Sequence, residues 1–302
     1  GPTEFHLGCD FYRDKQGVLC YAPKKHIEKI LDNYRRIYGT WPKVAHSPLI
    51  DGDHPELDTS ELLNEDDQKL YQSLIGALQW VIQIGRFDIT TAVMTLSRFR
   101  AMPRQGHLDR VKRIHGYLSK MRHATIKIRT DAPDYSSIPV KMYDWEYSCY
   151  ADAEEEVPPD SPKPKGKSIT MTSYFDANLC HDVISGKAVT GVLHLFNQTP
   201  IDWFSKLQST VETATFGSEH VAARTCAEQI IDLPLTLRHL GVPINGRTMV
   251  FGDNESVINS AAIPHSKMHK RWVALSYHRV RWAVAAGIIN ICLLYTSDAA
   301  DE

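Results

Sequence analysis

Three carboxylates stand where strand and helix patterns meet. Asp176 ends an apolar and aromatic run, Ser168 to Asp176. Asp253 directly follows a second run, Arg247 to Gly252, in Phe251-Gly252-Asp253-Asn254. Glu219 lies three residues before Ala222, the first member of a helical apolar stripe, so it falls near that helix's core-facing edge. Neighbouring strands are under 5 Å apart, so a helix laid across their ends can bring all three side chains to one point. Carboxylates gathered there repel each other and their pKa values rise. Hard divalent cations, which prefer oxygen ligands, remove that cost. Two such ions about 3.5–4 Å apart can align a water with a phosphodiester for in-line hydrolysis. The chain holds 36 Asp and Glu residues, so spacing by itself leaves this grouping open.

Other candidate chemistry is sparser. The six cysteines (Cys9, Cys20, Cys149, Cys180, Cys226, Cys292) form no Cys-x-x-Cys pair and no regular framework, the usage of a reduced, intracellular protein. Cys180-His181 is the one adjacent soft-ligand pair. A zinc site needs four ligands, so these thiols read as buried or incidental. Residues 98–129 carry ten Lys and Arg against one acid. Such a stretch is either a solvated helix face or a phosphate-neutralising patch.

The elements that must position these groups can be read from periodicity. Phe5 to Tyr12 and Leu19 to Tyr21 read as strands around the turn-like Asp14-Lys15-Gln16-Gly17. Pro23 sits where a first helical residue would. Ile27, Ile30, Leu31, Tyr34 and Tyr38 make a helical stripe that Gly39 stops. Helical spacing returns at Leu70 to Ile82, Ile89 to Phe99 and His107 to Met121. Residues 154–167 (EEEVPPDSPKPKGK) are acidic, then rich in Pro and Lys, and cannot build a packed core, so the domain boundary is placed there. Beyond it, strands are expected at Ser168 to Asp176, Val189 to Phe196, Pro200 to Phe204, Arg247 to Gly252 and Ile288 to Cys292. A long helix carries Ala222, Cys226, Ile230, Leu233, Leu237 and Leu240. Pro234 is expected to kink or break it, because an interior proline costs about 3 kcal/mol. Trp272, Leu275, Arg279 and Trp282 mark a late helix. The expected order is β-β-β-α-β-α-β.

Bulk properties bound the answer. The 302 residues suggest two domains, and 43 % apolar with 23 % charged residues is ordinary for a globular protein. The formal net charge of −2 names no partner. No run of 18 apolar residues and no basic-then-apolar leader occurs.

At the three acids the chain resembles the ribonuclease H domain of a copia-type retrotransposon polyprotein. Ser173-Tyr174-Phe175-Asp176-Ala177-Asn178 is similar to Y-S-D-A-D. Asp202-Trp203-Phe204-Ser205-Lys206-Leu207-Gln208-Ser209-Thr210-Val211 is similar to S-W-x-S-K-K-Q-x-T-V. Ser218-Glu219-His220-Val221-Ala222 resembles E-A-E-Y-V-A, Gly252-Asp253-Asn254-Glu255-Ser256-Val257 resembles C-D-N-x-S-A, and Tyr277-His278 resembles a late Y-H. Upstream, Tyr71 to Leu78, Arg86-Phe87-Asp88-Ile89, Leu96-Ser97-Arg98-Phe99 and Arg113 to Lys120 resemble the segment after the polymerase palm. The motifs are collinear and cover nearly the whole chain.

The resemblance implies an α/β (α+β) chain. A helical thumb/connection-like region of reverse transcriptase (1–150) leads through a linker (151–167) to a ribonuclease H-like mixed sheet flanked by helices (168–291), with residues 292–302 an artefactual tail. It implies Asp176, Glu219 and Asp253 as catalytic metal ligands for two Mg²⁺ or Mn²⁺ ions, cutting RNA in an RNA–DNA hybrid. It also places the basic region on the template–primer path, with Arg110, Lys112, Arg113 and Lys120 as phosphate contacts. Binding would be salt-sensitive, and a hybrid would be told apart by groove shape and the 2′-hydroxyl. The remainder of the polyprotein is the implied protein partner, and the element's life cycle implies an intracellular particle or the nucleus.

Three departures stand out. No Tyr-x-Asp-Asp occurs, so no polymerase site is expected, and Asp66-Asp67 reads as a helix start. The tail Cys292 to Glu302 replaces the A-D-x-L-x-K continuation that supplies a fourth carboxylate, leaving Asp298 or Asp301 as accidental substitutes. Arg271-Trp272-Val273-Ala274 stands where relatives carry Lys-His-Ile-Asp, and His265 lies in the right loop for proton traffic, although loop histidines are more often inert. Two other readings are a catalytically dead nucleic-acid-binding chain and an integrase or transposase. The last is disfavoured because its acids run Asp, Asp, Glu, whereas these run Asp, Glu, Asp.

Overall fold

The computed structural model describes all residues except 1–3, 137–139, 142–148, 151, 269–270 and 295–302. It divides into two compact units, residues 1–129 with 182–184, and residues 130–181 with 185–302. The division falls upstream of the expected linker, and residues 152–167 lie with the second unit.

In the first unit a small antiparallel sheet runs β1 (Phe5–His6), β2 (Cys9–Arg13), β3 (Leu19–Ala22) and β4 (Ile126–Lys127). The expected single strand from Phe5 to Tyr12 is split at Leu7-Gly8, both of which have positive φ. Helix α1 (Lys24–Tyr38) buries Ile27, Ile30, Leu31 and Tyr34, and Gly39 ends it at φ +71 with its N–H on the Arg35 carbonyl. The left-handed conformation costs glycine little, which is why the helix stops there. Asn64 caps α2 (Glu65–Gln83) through the Asp67 amide, and Glu65, Asp66 and Asp67 fill its first turn, where the dipole favours acids. That is the helix-start role expected of Asp66-Asp67. Helices α3 (Thr90–Ser97) and α4 (Gln105–Lys120) complete the unit. Its core is Tyr71, Leu74, Leu78, Val93, Leu96, Val111, Ile114 and Leu118, all buried.

The second unit is a six-stranded sheet flanked by helices. The strands are β5 (Val140–Lys141), β6 (Met171–Asp182), β7 (Lys187–Phe196), β8 (Thr199–Leu207), β9 (Thr248–Gly252) and β10 (Ile289–Leu294), in the order β5-β10-β9-β6-β7-β8. β6, β9 and β10 run parallel, and β7 is antiparallel to β8. Parallel neighbours need long crossovers. Helix α5 (Thr215–His239) precedes β9, and α6 (Glu255–Ala262) with α7 (Ala274–Ala285) precedes β10. One continuous core joins Phe175 and Ala177 of β6, Val192 of β7 and Val250 of β9 to Ala222, Cys226 and Ile230 of α5. It extends through Val257 and Ile258 of α6 to Val280 and Val284 of α7. This is the mixed sheet flanked by helices that the resemblance implied.

Several expectations are corrected. Asp176 does not end its strand, since β6 continues six residues further beside β7. Pro234 breaks nothing: α5 runs through it, and Pro234 and Leu237 beyond it are both buried. Packing of the helix on both sides of the proline outweighs the one lost backbone bond. Helix α6 was not foreseen. The expected late stripe marks a helix but faces outward, with Leu275 81 % and Trp282 48 % exposed, while Trp272 lies in a short 3-10 turn (Arg271–Val273) ahead of it. The inward face of α7 is instead Tyr277, Val280, Ala283 and Val284. Cys292, expected both to close the last strand and to open the tail, and Leu293, expected in the tail, are buried in β10. Asp298 and Asp301 lie outside the described residues.

Candidate metal centre

Register brings the first two acids together. In the parallel pair of β6 and β9, Tyr174 stands opposite Phe251, so Asp176 and Asp253 both lie two residues beyond the last partners. Side chains alternate along a strand, so Tyr174 and Asp176 take one face while Phe175 and Ala177 take the other, against α5. Glycine at 252 permits the close approach: a Cβ there would lie 2.3 Å from Cζ of Phe175. Asn254 then caps α6, its Oδ1 accepting from the Val257 amide at 3.1 Å, which stops β9 and turns the chain at Asp253.

The third acid arrives from α5. Glu219 is 5 % exposed. Its Oε1 accepts from the Ala177 N–H at 3.2 Å, so the β6 backbone itself orients the carboxylate. Oε2 is buried with no hydrogen-bond partner. Ligand oxygens of Asp176, Glu219 and Asp253 all lie within 4.8 Å of one another. Burial, then the charges of Asp176 and Asp253, push the Glu219 carboxyl up to about 8. Burial, then Asp253, also raise that of Asp176. Three hard oxygen donors, one with an orphaned buried lone pair, fit a divalent cation. Among the described residues no fourth acid joins them.

The surrounding contacts stiffen this centre. His220 Nε2 bonds Ser260 Oγ at 2.8 Å, tying α5 to α6. Arg281 of α7 donates to the carbonyls of Ser260, Ile263 and Pro264, and Tyr277 Oη donates to Ser266 O at 2.7 Å. His265 is exposed in the loop so held. The roles of Gly252, Asn254 and the Ala177 amide were not visible beforehand. Asn254 ahead of Glu255 and the apolar Val257-Ile258 was the available helix-start signal.

The four basic candidates all lie on α4, and each has a partner. Arg110 binds Asp53 through Nε and Nη2 and Asp58 through Nη1, so its charge is balanced internally. Lys112 pairs with Asp109 at 3.0 Å. Arg113 Nη2 donates to Ser47 Oγ at 3.0 Å, and Lys120 Nζ lies 2.5 Å from Nδ1 of His46. Cys180 is exposed and unbridged, and Cys226 is fully buried.

No protein-family model matches the chain. It is similar to the Retrovirus-related Pol polyprotein from transposon TNT 1-94 of Nicotiana tabacum, 25 % identical over 305 aligned positions, 99 % of this chain and 20 % of that protein. It is likewise similar to that from transposon RE1 of Arabidopsis thaliana, 24 % identical over 89 % of this chain and 16 % of that protein. The chain thus spans about a fifth of the length of these relatives. Among solved structures, RNase H1 of Halobacterium salinarum aligns with 43 % of this chain and 89 % of its own, at 13 % identity and a TM-score of 0.33. A foamy viral protease-reverse transcriptase in complex with RNA/DNA hybrid aligns with 78 % of this chain and 27 % of its own, at 12 % identity and a TM-score of 0.36. With the collinear motifs around Asp176, Glu219 and Asp253, the sequence alignments make the chain a homologue of copia-type Pol polyproteins of transposons over most of its own length.

Proposed function

We propose that the second unit hydrolyses the RNA strand of RNA–DNA hybrids as part of a retrotransposon reverse transcriptase/ribonuclease H, with Asp176, Glu219 and Asp253 as its metal-holding catalytic residues. The observation that carries this reading is the convergence of three carboxylates, with Glu219 Oε2 buried and unpartnered. Two Mg²⁺ or Mn²⁺ ions, when bound, supply a water activated for attack and charge stabilisation at the phosphorus. Asp176 and Asp253 would hold the ions through their carboxylate oxygens. Glu219, oriented by the Ala177 amide on Oε1, would offer its buried, unpartnered Oε2 to an ion.

In the same reading residues 1–150 are the thumb/connection-like region, 151–167 the connector and 168–291 the nuclease domain. Arg110, Lys112, Arg113 and Lys120 contact template–primer phosphates. Ten basic residues against one acid over 98–129 support this, and the balanced charge of Arg110 makes it the weakest of the four. The remainder of the polyprotein is the protein partner, in an intracellular particle or the nucleus. No helix among the described residues is long and apolar enough to cross a membrane.

The test is cleavage of a labelled RNA–DNA hybrid with Mg²⁺ or Mn²⁺, beside an Asp176→Asn control. Metal-dependent cleavage lost at least a hundredfold in the control is expected. Absence of cleavage with salt-sensitive hybrid binding retained overturns the enzyme and favours an inactive hybrid-binding chain.

A further inference from the structure

The loop before α2 crosses α4 at one narrow point. A Cβ on Gly116 would sit 1.9 Å from the Lys43 carbonyl oxygen, so only glycine lets the loop lie there. Arg113, Gly116 and Lys120 are spaced three and four residues apart on one face of α4. On either side of the crossing, Arg113 holds Ser47 and Lys120 holds His46. Ser47 Oγ accepts from Arg113 Nη2 at 3.0 Å and donates to Leu49 O at 2.6 Å.

The guanidinium contact is half filled. The Nε and Nη2 of an arginine form one edge that matches two oxygens of an oxyanion. Arg86 presents that edge to Asp88, and Arg110 presents it to Asp53. Arg113 has only Ser47 Oγ on Nη2, and its Nε is buried with no partner. An edge built for two oxygens therefore meets a single hydroxyl. That hydroxyl is followed by Pro48, in a segment without helix or strand where Ser47 and Pro48 are half-buried and the preceding His46 is exposed.

We infer that Ser47 is a phosphorylation site whose phosphate monoester completes the Nε–Nη2 edge of Arg113. A serine kinase that reads a following proline, using a nucleoside triphosphate, supplies the group. Ser47 Oγ forms a bond to the γ-phosphorus, the bond from that phosphorus to the β-phosphate oxygen breaks, the hydroxyl proton passes to the kinase's base, and the nucleoside diphosphate leaves. The chain's other Ser-Pro pair, Ser161-Pro162, lines a cavity with Arg238, whose Nη1 and Nη2 already bind Glu155. On the nucleic-acid reading above, the added charge draws Arg113 and Lys120 away from a bound hybrid and weakens its affinity.

The chain and its Ser47→Ala variant are incubated with ATP and a proline-directed serine kinase, and the phosphate is mapped by mass spectrometry. Phosphate on Ser47 of the folded chain is expected. Label that enters Ser47 only after denaturation overturns the site. Phosphoserine installed at position 47 during synthesis tests the docking without a kinase. A Tm rise of about 2–4 °C is expected, abolished by Arg113→Gln. An unchanged or lowered Tm, or a rise that survives Arg113→Gln, overturns it. Hybrid affinity is measured on the same samples. A stabilised phosphorylated chain with unaltered affinity overturns the weakening, whereas an unmodified chain that binds no hybrid overturns the nucleic-acid reading instead.

Discussion

Glu219 is where burial and charge conflict most openly. Its carboxyl is pushed up to about 8 by burial and by two neighbouring acids. A group whose folded pKa exceeds its unfolded one holds its proton more tightly when folded. Metal-free, the folded state is therefore favoured below pH 4.5 and loses that advantage as pH rises through about 8. Glu219→Gln removes the charge, so its Tm in EDTA should exceed that of the parent chain by a few °C at pH 8.5 and match it near pH 4, read by circular dichroism. The same variant should lose the thermal shift that Mg²⁺ gives the parent. Gly252 is a steric counterpart. Gly252→Ala drives a methyl into the Phe175 ring, so a loss of about 1–3 kcal/mol in urea denaturation is expected, with hybrid cleavage reduced. The identities of all three acids were legible from their motifs. The Ala177 amide and the Phe175 contact were not, because backbone donors and cross-strand clearances leave no mark on residue type.

The helices divide by what holds them. α1 and α2 follow their local code: a stripe, an Asn64 cap and a Gly39 stop suffice to place both. α5 and α7 do not. α5 passes through Pro234, and α7 turns its most conspicuous apolar residues outward, because tertiary packing decides which face is covered. α4 carries a buried polar group that reports on the whole first unit. His115 is fully buried, its Nδ1 2.9 Å from Val111 O and its ring against Tyr34. Burial pushes it down to about 4. Here the unfolded chain takes the proton more readily, so stability present above pH 6.5 is lost as pH falls toward 4. A loss of about 2 kcal/mol between pH 7 and 4.5 is expected, and His115→Leu should remove most of that pH dependence in chemical denaturation.

At the scale of the molecule, a net charge of −2 hides a basic stretch around α4. If that surface meets phosphates, log affinity for a hybrid falls linearly with log salt. Replacing Lys112 and Lys120 together by Ala should lower the slope by roughly 2, measured by fluorescence anisotropy between 50 and 200 mM salt. An unchanged slope removes both lysines from the interface. Length and the Pro- and Lys-rich composition of residues 154–167 point to two units with a boundary there, whereas the chain divides upstream, after residue 129, because contacts between distant segments and not local composition draw that line. The order of the major strands and the candidate acids were legible, because motif and periodicity are properties of the chain taken a few residues at a time. Strand register, the clearance at Gly252, the outward face of α7, the α6 turn and the pairing of Arg113 with Ser47 were decided only by the tertiary structure. Each depends on which distant segments come within a few ångströms of one another. Asp176 and Asp253 are 77 positions apart in the chain, yet they become neighbours only when β6 and β9 pair with Tyr174 opposite Phe251. A slip of one residue would send one of the two acids to the opposite face.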